Sequence, residues 1–121
     1  MIECLIVGMG GFIGAILRYL TGLIPVGTEG GFPIKTLLVN VIGSFVIGII
    51  AALAVKNTAI NPRLVLFIKV GICGGFTTFS SFALETGTLL ENGQTLTAIL
   101  YIIMSVIFSI FAVFTAEWIV R

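Results

Sequence analysis

Four long apolar segments constrain this chain more than any other feature of its sequence. They cover residues 2–24, 34–56, 64–90 and 94–119, and each reaches the length of about 20 residues that an α-helix needs to cross a bilayer. Of the 121 residues, 59% are hydrophobic and only 9% are charged, whereas about 25% are charged in a typical soluble domain. The sequence therefore predicts one all-α integral membrane domain over residues 1–121, with four transmembrane helices in a lipid bilayer.

Two adjacent glycines interrupt the third segment at the depth where a plain apolar helix is expected. Gly74-Gly75 precede the run Phe76-Thr77-Thr78-Phe79-Ser80-Ser81-Phe82. Glycine weakens a helix, and non-helical backbone at membrane depth is tolerated only inside protein or beside a wet cavity. We therefore expect the third helix to be broken at Gly74-Gly75, beside a polar path or an ion site. The alternative is a small-residue packing surface whose hydroxyls bond back to their own helix.

Polar side chains in the second and fourth segments point to a path for an anion. Between Thr36 and Val55, Asn40 is the one strongly polar side chain, and Tyr101, Ser105 and Ser109 follow one another at intervals of four residues. That spacing places three hydroxyls on one stripe of a helix. An amide in hydrocarbon is costly without partners, so Asn40 either joins helices or faces a pore. Amide and hydroxyl protons are donors, and there is no carboxylate at mid-membrane, where a cation path would normally have one.

Arginine and phenylalanine side chains have both a plain and a functional interpretation. Arg18 lies in the last third of the first segment, where it either snorkels to the headgroups or lines a water-filled mouth. Phe76, Phe79 and Phe82 recur every three residues and would share one face of a resumed helix. A phenyl ring has a positive edge, which can face a small anion. The alternative for these rings is packing against lipid or another helix.

The polar inventory argues against an enzyme and against a nucleic-acid partner. The chain has no histidine and no carboxylate pair, and its two cysteines, Cys4 and Cys73, are too far apart to form a metal motif. A net charge of +1 gives no reason to expect nucleic acid. Cations are almost equally divided between the loops on the two sides of the membrane, which allows insertion in both orientations.

Three motifs resemble those of the Fluc family of fluoride channels, also called CrcB. They are Gly14-Ala15-x-x-Arg18-Tyr19, Thr36-Leu-x-Val-Asn40-x-x-Gly43-Ser44-Phe45 and Gly74-Gly75-Phe76-Thr77-Thr78-Phe79-Ser80-Ser81-Phe82. The third is the most specific, and the resemblance covers nearly the whole chain. Departures are small: Lys35 stands where the family commonly has glycine, and Ser81 where threonine is frequent.

The resemblance implies a fluoride-selective channel that passively exports fluoride across the cell inner membrane. It also implies a homodimer of two inverted copies, an antiparallel dual-topology assembly with two pores. The nearly balanced loop charges agree with this arrangement.

The same resemblance implies roles for particular residues. The fluoride path would include Asn40, Phe79, Phe82, Ser80, Ser81, Tyr101, Ser105 and Ser109. Arg18 would lie at the aqueous vestibule and Glu85 near the end of the path. The backbone carbonyls of Gly74 and Thr77 from both subunits would hold a structural sodium ion at the dimer centre, since carbonyl oxygens are hard ligands.

Two other functions remain open on the sequence. A small multidrug-resistance exporter is a proton-coupled carrier of similar size, with four spans and dual topology. It needs a carboxylate in the middle of the first span, where this chain has Glu3 only at the start and Arg18 as the one other charge. A non-transporting scaffold that assembles through glycine faces predicts no ion flux, and it leaves the alternation of phenylalanine and serine unexplained.

Overall fold

The computed structural model describes residues 1–121 and consists of helices and the loops that join them. Helix α1 spans Ile2–Gly22, α2 spans Ile34–Lys56 and α6 spans Thr95–Val120. The third crossing, Pro62–Glu91, is made of several pieces: α3 (Pro62–Leu66), a π-helical stretch (Phe67–Cys73), α4 (Gly74–Phe76) and α5 (Ser80–Glu91). Four segments are thus long and apolar enough to cross a membrane, which confirms the all-α, four-span architecture.

Local sequence determines where the third crossing begins and ends. Pro62 occupies the first turn of α3, where its missing N–H costs nothing, and the Asn61 side chain accepts a hydrogen bond from the Arg63 N–H at 2.9 Å. Just after the end of α5, Gly93 has a φ of +77°, a conformation that glycine adopts without strain. These signals separate the third crossing from its neighbours by short turns.

Glycines bring α1 into backbone contact with the first half of the third crossing. A Cβ placed on Gly10 would lie 2.5 Å from the carbonyl oxygen of Phe67, and one on Gly71 would lie 2.8 Å from the Cα of Gly10. A Cβ on Gly14 would overlap the carbonyl oxygen of Ile72. Small residues allow this approach because no side chain separates the two backbones.

The second pair of packed helices is α2 and α6, and the buried core lies where α5 joins them. Gly48 of α2 faces Ala116 of α6, where an added Cβ would come within 2.8 Å of the alanine Cβ. The buried cluster contains Leu37, Leu89, Ala98 and Tyr101, with Phe32 and Phe82 packed against it. The first half of the interrupted crossing therefore packs on α1, and its second half, α5, packs on the pair formed by α2 and α6.

The interruption of the third helix is present, but it lies three residues beyond the expected position. Gly74 has right-handed helical dihedral angles, and the helix continues to Phe76 before Thr77 turns extended, with a φ of −80° and a ψ of 160°. Residues 77–79 form the break, and α5 begins at Ser80. Gly75 serves a different purpose, since a Cβ there would lie 2.6 Å from the carbonyl oxygen of Gly11 in α1. The π-helical stretch before them was not expected from the sequence.

Candidate functional site

The side chain of Asn40 holds the break in the third crossing open. Its Nδ2 donates to the carbonyl oxygen of Thr78 at 2.9 Å, and its Oδ1 accepts from the Thr78 N–H at 2.8 Å. One amide therefore satisfies both backbone groups of a residue that has left the helix, which buried backbone requires. Of the two interpretations of Asn40, the joining of helices is observed directly. The second Nδ2 hydrogen remains for another acceptor, because an amide nitrogen carries two.

Side-chain hydroxyls form hydrogen bonds with backbone groups at the two ends of the break. The Thr77 Oγ1 donates to the carbonyl oxygen of Cys73 at 2.8 Å, and the Thr78 Oγ1 accepts from the Ser81 N–H at 3.1 Å. The second contact satisfies a backbone N–H in the first turn of α5, which has no partner within the helix. Two of the four hydroxyls in the run therefore serve the backbone.

A groove of about 350 Å³ lies beside the break, between α2, the third crossing and α6. Five of the eight residues predicted for the fluoride path line this groove: Asn40, Phe79, Phe82, Ser105 and Ser109. Ser44, Cys73, Gly74, Thr77 and Thr78 also line it. The polar groups are an amide, hydroxyls, a thiol and backbone, and no carboxylate or ammonium group lines the groove.

The wall of the groove on α6 carries a hydroxyl that has no protein partner. Ser105 is only 7% exposed, and its Oγ makes no hydrogen bond within the chain. Buried polar groups are normally hydrogen-bonded. Ser105 lines the groove, so this unpartnered hydroxyl is a candidate donor to a water molecule or an ion there.

Aromatic rings continue from the groove into the core. The centroids of Phe79 and Phe82 are 5.7 Å apart, and those of Phe82 and Tyr101 are 5.0 Å apart. Phe79 is 79% exposed on the surface of the single chain, whereas Tyr101 is fully buried. The rings thus form a row that leads from the open side of the groove to the interior.

Glu85 accepts hydrogen bonds from hydroxyls of two different helices. The Tyr101 OH donates to its Oε1 at 3.1 Å, and the Thr36 Oγ1 donates to its Oε2 at 3.0 Å. Tyr101 therefore points at Glu85 and does not line the groove with Ser105 and Ser109. The sequence analysis placed Tyr101 on the fluoride path and Glu85 near its end, and it did not predict this direct hydrogen bond between them.

Arg18 lies at a second, smaller cavity on the other side of the break. It is half-buried, and its Nε donates to the carbonyl oxygen of Gly75 at 3.2 Å. The cavity measures about 70 Å³, and Gly22 and Val39 form part of its wall. The rest of the lining consists of two cations and three hydroxyl residues: Arg18, Lys35, Thr36, Thr78 and Ser81. Ser81 thus lines the same cavity as Arg18, while Ser80 is exposed, with its Oγ 3.5 Å from the Thr78 Oγ1.

Sequence reasoning did not single out Thr36, Thr78, Lys35 or Ser44 as members of the site. Thr36 and Ser44 stand within the second motif, and Thr78 stands within the third. A polar residue inside an otherwise specific motif was the signal that could have identified these three. Lys35 appeared only as a departure from the family pattern. It lines the same cavity as Arg18 although the two stand on different segments, and no local pattern encodes such a placement.

The carbonyls of Gly74 and Thr77 have lost the amide partners that a continuous helix would give them. The Thr78 N–H donates to Asn40, and the Ser81 N–H donates to the Thr78 hydroxyl. A Cβ on Gly74 would meet nothing within 4 Å, so this residue faces open space. Carbonyl oxygens in this state have the donor chemistry that a hard cation such as sodium requires.

The fold and the groove together define a class: a small multi-pass membrane protein in which a broken third helix borders a cavity with amide and hydroxyl groups among its apolar lining residues. A family profile described as CrcB-like protein, Camphor Resistance (CrcB), matches residues 5–116. The chain belongs to the CrcB family, as the three motifs indicated.

Curated relatives cover nearly the whole chain. The fluoride-specific ion channel FluC of Rhizobium meliloti is 43% identical over 122 residues, covering 100% of this chain and 98% of the relative. The protein of the same name from Chlorobium chlorochromatii is 43% identical over 118 residues, covering 94% and 92%. That from Chlorobaculum tepidum is 46% identical over 102 residues, covering 84% and 81%. These relatives are similar to the chain in length as well as in sequence.

Proposed function

We propose that this protein is a fluoride-selective channel of the cell inner membrane, which passively exports fluoride and performs no covalent chemistry. The groove beside the break is the observation that carries the proposal, because it offers amide and hydroxyl donors without a carboxylate. Relatives named as fluoride-specific ion channels support the choice of ion.

Fluoride would exchange part of its hydration shell for donors that the fold already holds in place. The free Nδ2 hydrogen of Asn40 and the unpartnered Ser105 hydroxyl supply two of these, and Ser109 lies on the same wall. Preorganised donors stabilise a charge at low cost because they need no reorganisation when it arrives. The positive ring edges of Phe79 and Phe82 would complete the shell.

The cavity at Arg18 would serve as an entry that concentrates anions. Arg18 and Lys35 place two positive charges beside the first turn of α5, whose backbone N–H groups also favour anions. A narrow cleft with one sign of charge raises the local concentration of the opposite ion. Ser81 and Thr78 then connect this entry to the break.

A second, inverted copy of the chain would close the open side of the groove. Phe79 is 79% exposed, and an ion path through hydrocarbon requires walls on every side. The freed carbonyls of Gly74 and Thr77 lie at the same break, so two copies meeting there would supply four carbonyl ligands. These four would hold a structural sodium ion, whose charge would stabilise the contact between subunits.

The proposal is tested by measuring ion efflux from liposomes that contain the purified protein. Electrodes for fluoride and chloride are read in parallel, with protein-free liposomes as the control. We expect rapid release of fluoride and no release of chloride. Folded protein that releases neither ion would contradict the proposal, and proton-driven drug uptake by that protein would favour the small exporter.

Replacing Phe82 or Phe79 with isoleucine is expected to lower fluoride efflux by at least about tenfold, equivalent to about 1.4 kcal/mol at the barrier. Isoleucine keeps an apolar side chain but removes the positive ring edge from the wall of the groove. Efflux is compared with that of Phe12→Ile, since Phe12 is 69% exposed on α1 and lines none of the cavities described above. Wild-type efflux from both groove variants, as dimers, would refute a role for the ring edges.

A further inference from the structure

We propose that Phe32, in the loop between α1 and α2, is a positioning residue that holds Tyr101 on Glu85. Its ring meets the Tyr101 ring edge-on, with centroids 5.5 Å apart and an angle of 79° between the planes. This edge-to-face arrangement is a favoured geometry for aromatic pairs. The row of rings that begins at Phe79 therefore ends in a loop, outside the helices of the bundle.

Tyr101 depends on such contacts because its position is set by packing at the ring and by one hydrogen bond at the phenol. The side chain is fully buried, and Phe82 contacts the same ring at 5.0 Å. The phenol donates to Glu85 at 3.1 Å. A ring that lost its contact with Phe32 would have room to rotate, and the phenol would then leave the carboxylate.

Hydrogen bonds hold the chain on both sides of Phe32. Gln94, just before α6, donates from its Nε2 to the carbonyl oxygen of Gly30 at 2.8 Å. Four residues beyond Phe32, Thr36 donates to the other oxygen of Glu85 at 3.0 Å. The segment from Phe32 to Thr36 thus supports Glu85 twice, once through the Tyr101 ring and once through a direct hydrogen bond.

A wide cavity beside Phe32 is the reason why its contact with Tyr101 would affect conduction. It measures about 630 Å³ and is lined by the loop and by α5, including Phe32 and Glu85. Glu85 therefore borders both this cavity and the buried phenol. This role of Phe32 in conduction rests on the proposed function, whereas its role in holding the phenol does not.

The first test measures the hydrogen bond of Tyr101 without measuring transport. The chain has only two tyrosines. Subtracting the Raman spectrum of the corresponding Tyr101→Phe protein therefore leaves the doublet of the Tyr101 phenol. In Phe32→Leu we expect the intensity ratio to shift away from that of a phenol donating to a carboxylate. The matched control is Phe12→Leu, which removes an exposed ring and should leave the ratio unchanged. A ratio unchanged in Phe32→Leu would overturn the proposal.

The second test measures whether Phe32 acts through Tyr101. Phe32→Leu should lower fluoride efflux about threefold to tenfold, the range that corresponds to one aromatic pair. In the Tyr101→Phe background the same change should alter efflux less than twofold, because the phenol is already absent. Equal effects in both backgrounds would overturn the proposal.

The two tests also distinguish an inactive wild-type protein from a variant that does not fold. A wild-type protein that releases no fluoride would contradict the proposed function, and the Raman comparison would still decide whether Phe32 positions Tyr101. If Phe32→Leu does not fold, Phe32→Met replaces it in both measurements, since methionine fills a similar volume without a ring.

Discussion

Replacing Asn40 with leucine should reduce fluoride efflux more than about a hundredfold. Leucine has nearly the size of asparagine but makes neither of the two hydrogen bonds to Thr78, at 2.9 and 2.8 Å. Each buried backbone group left without a partner costs about 1–3 kcal/mol, which is enough to collapse the break or to displace α5. The variant also removes the Nδ2 donor from the groove. Efflux from liposomes measures the loss, and circular dichroism establishes that the helices remain.

Asn57→Leu is the matched control for this substitution. The Asn57 Oδ1 also accepts a backbone N–H, from Ala59 at 3.0 Å, but in an exposed turn where water can take its place. We expect wild-type efflux from this variant. Efflux from Asn40→Leu equal to that of Asn57→Leu would show that the amide neither holds the break nor serves the ion.

The substitution Gly14→Ala should destabilise the protein by about 3 kcal/mol, the upper part of the range for an overpacked core. The added methyl group would overlap the Ile72 carbonyl oxygen and come within 2.8 Å of the Phe76 backbone nitrogen. Both atoms belong to a helical backbone, so neither gives way as a flexible side chain would. The helix pair of α1 and the third crossing must then separate. Unfolding by denaturant in detergent measures the change.

Gly8→Ala on the same helix provides the comparison. A Cβ on Gly8 meets nothing within 4 Å, and alanine favours a helix over glycine by about 1 kcal/mol. This variant should therefore be as stable as the wild type or slightly more stable. Equal stability of the two alanine variants would contradict the close approach of the backbones at Gly14.

The four spans were predictable because hydrocarbon imposes a length and a composition that local sequence must meet. The position of the break was not predictable, because a glycine can either interrupt a helix or allow two backbones to approach, and the sequence does not distinguish the two. Gly74-Gly75 indicated an interruption, yet Gly75 serves a close approach to Gly11. The actual break at Thr77 depends on Asn40, which lies on another helix.

The stripe of hydroxyls on α6 illustrates the limit of a spacing argument. Residues four apart on a helix differ by about 40° in direction, because four steps exceed one turn of 3.6 residues. Ser105 and Ser109 share the groove, while Tyr101, at the other end of the stripe, turns to Glu85. The partner of Tyr101 lies on α5, and contacts between helices of this kind are absent from any local pattern.

The amide that spans from α2 to the third crossing makes the shape of one helix depend on the presence of another. In a bilayer, a lone segment such as Pro62–Glu91 would have to satisfy the Thr78 N–H and carbonyl by itself. It would do so by closing residues 77–79 into a continuous helix. The break is therefore a property of tertiary structure, acquired only when α2 is already beside it. Because α2 precedes the third crossing in the chain, Asn40 is synthesised before the residues of the break.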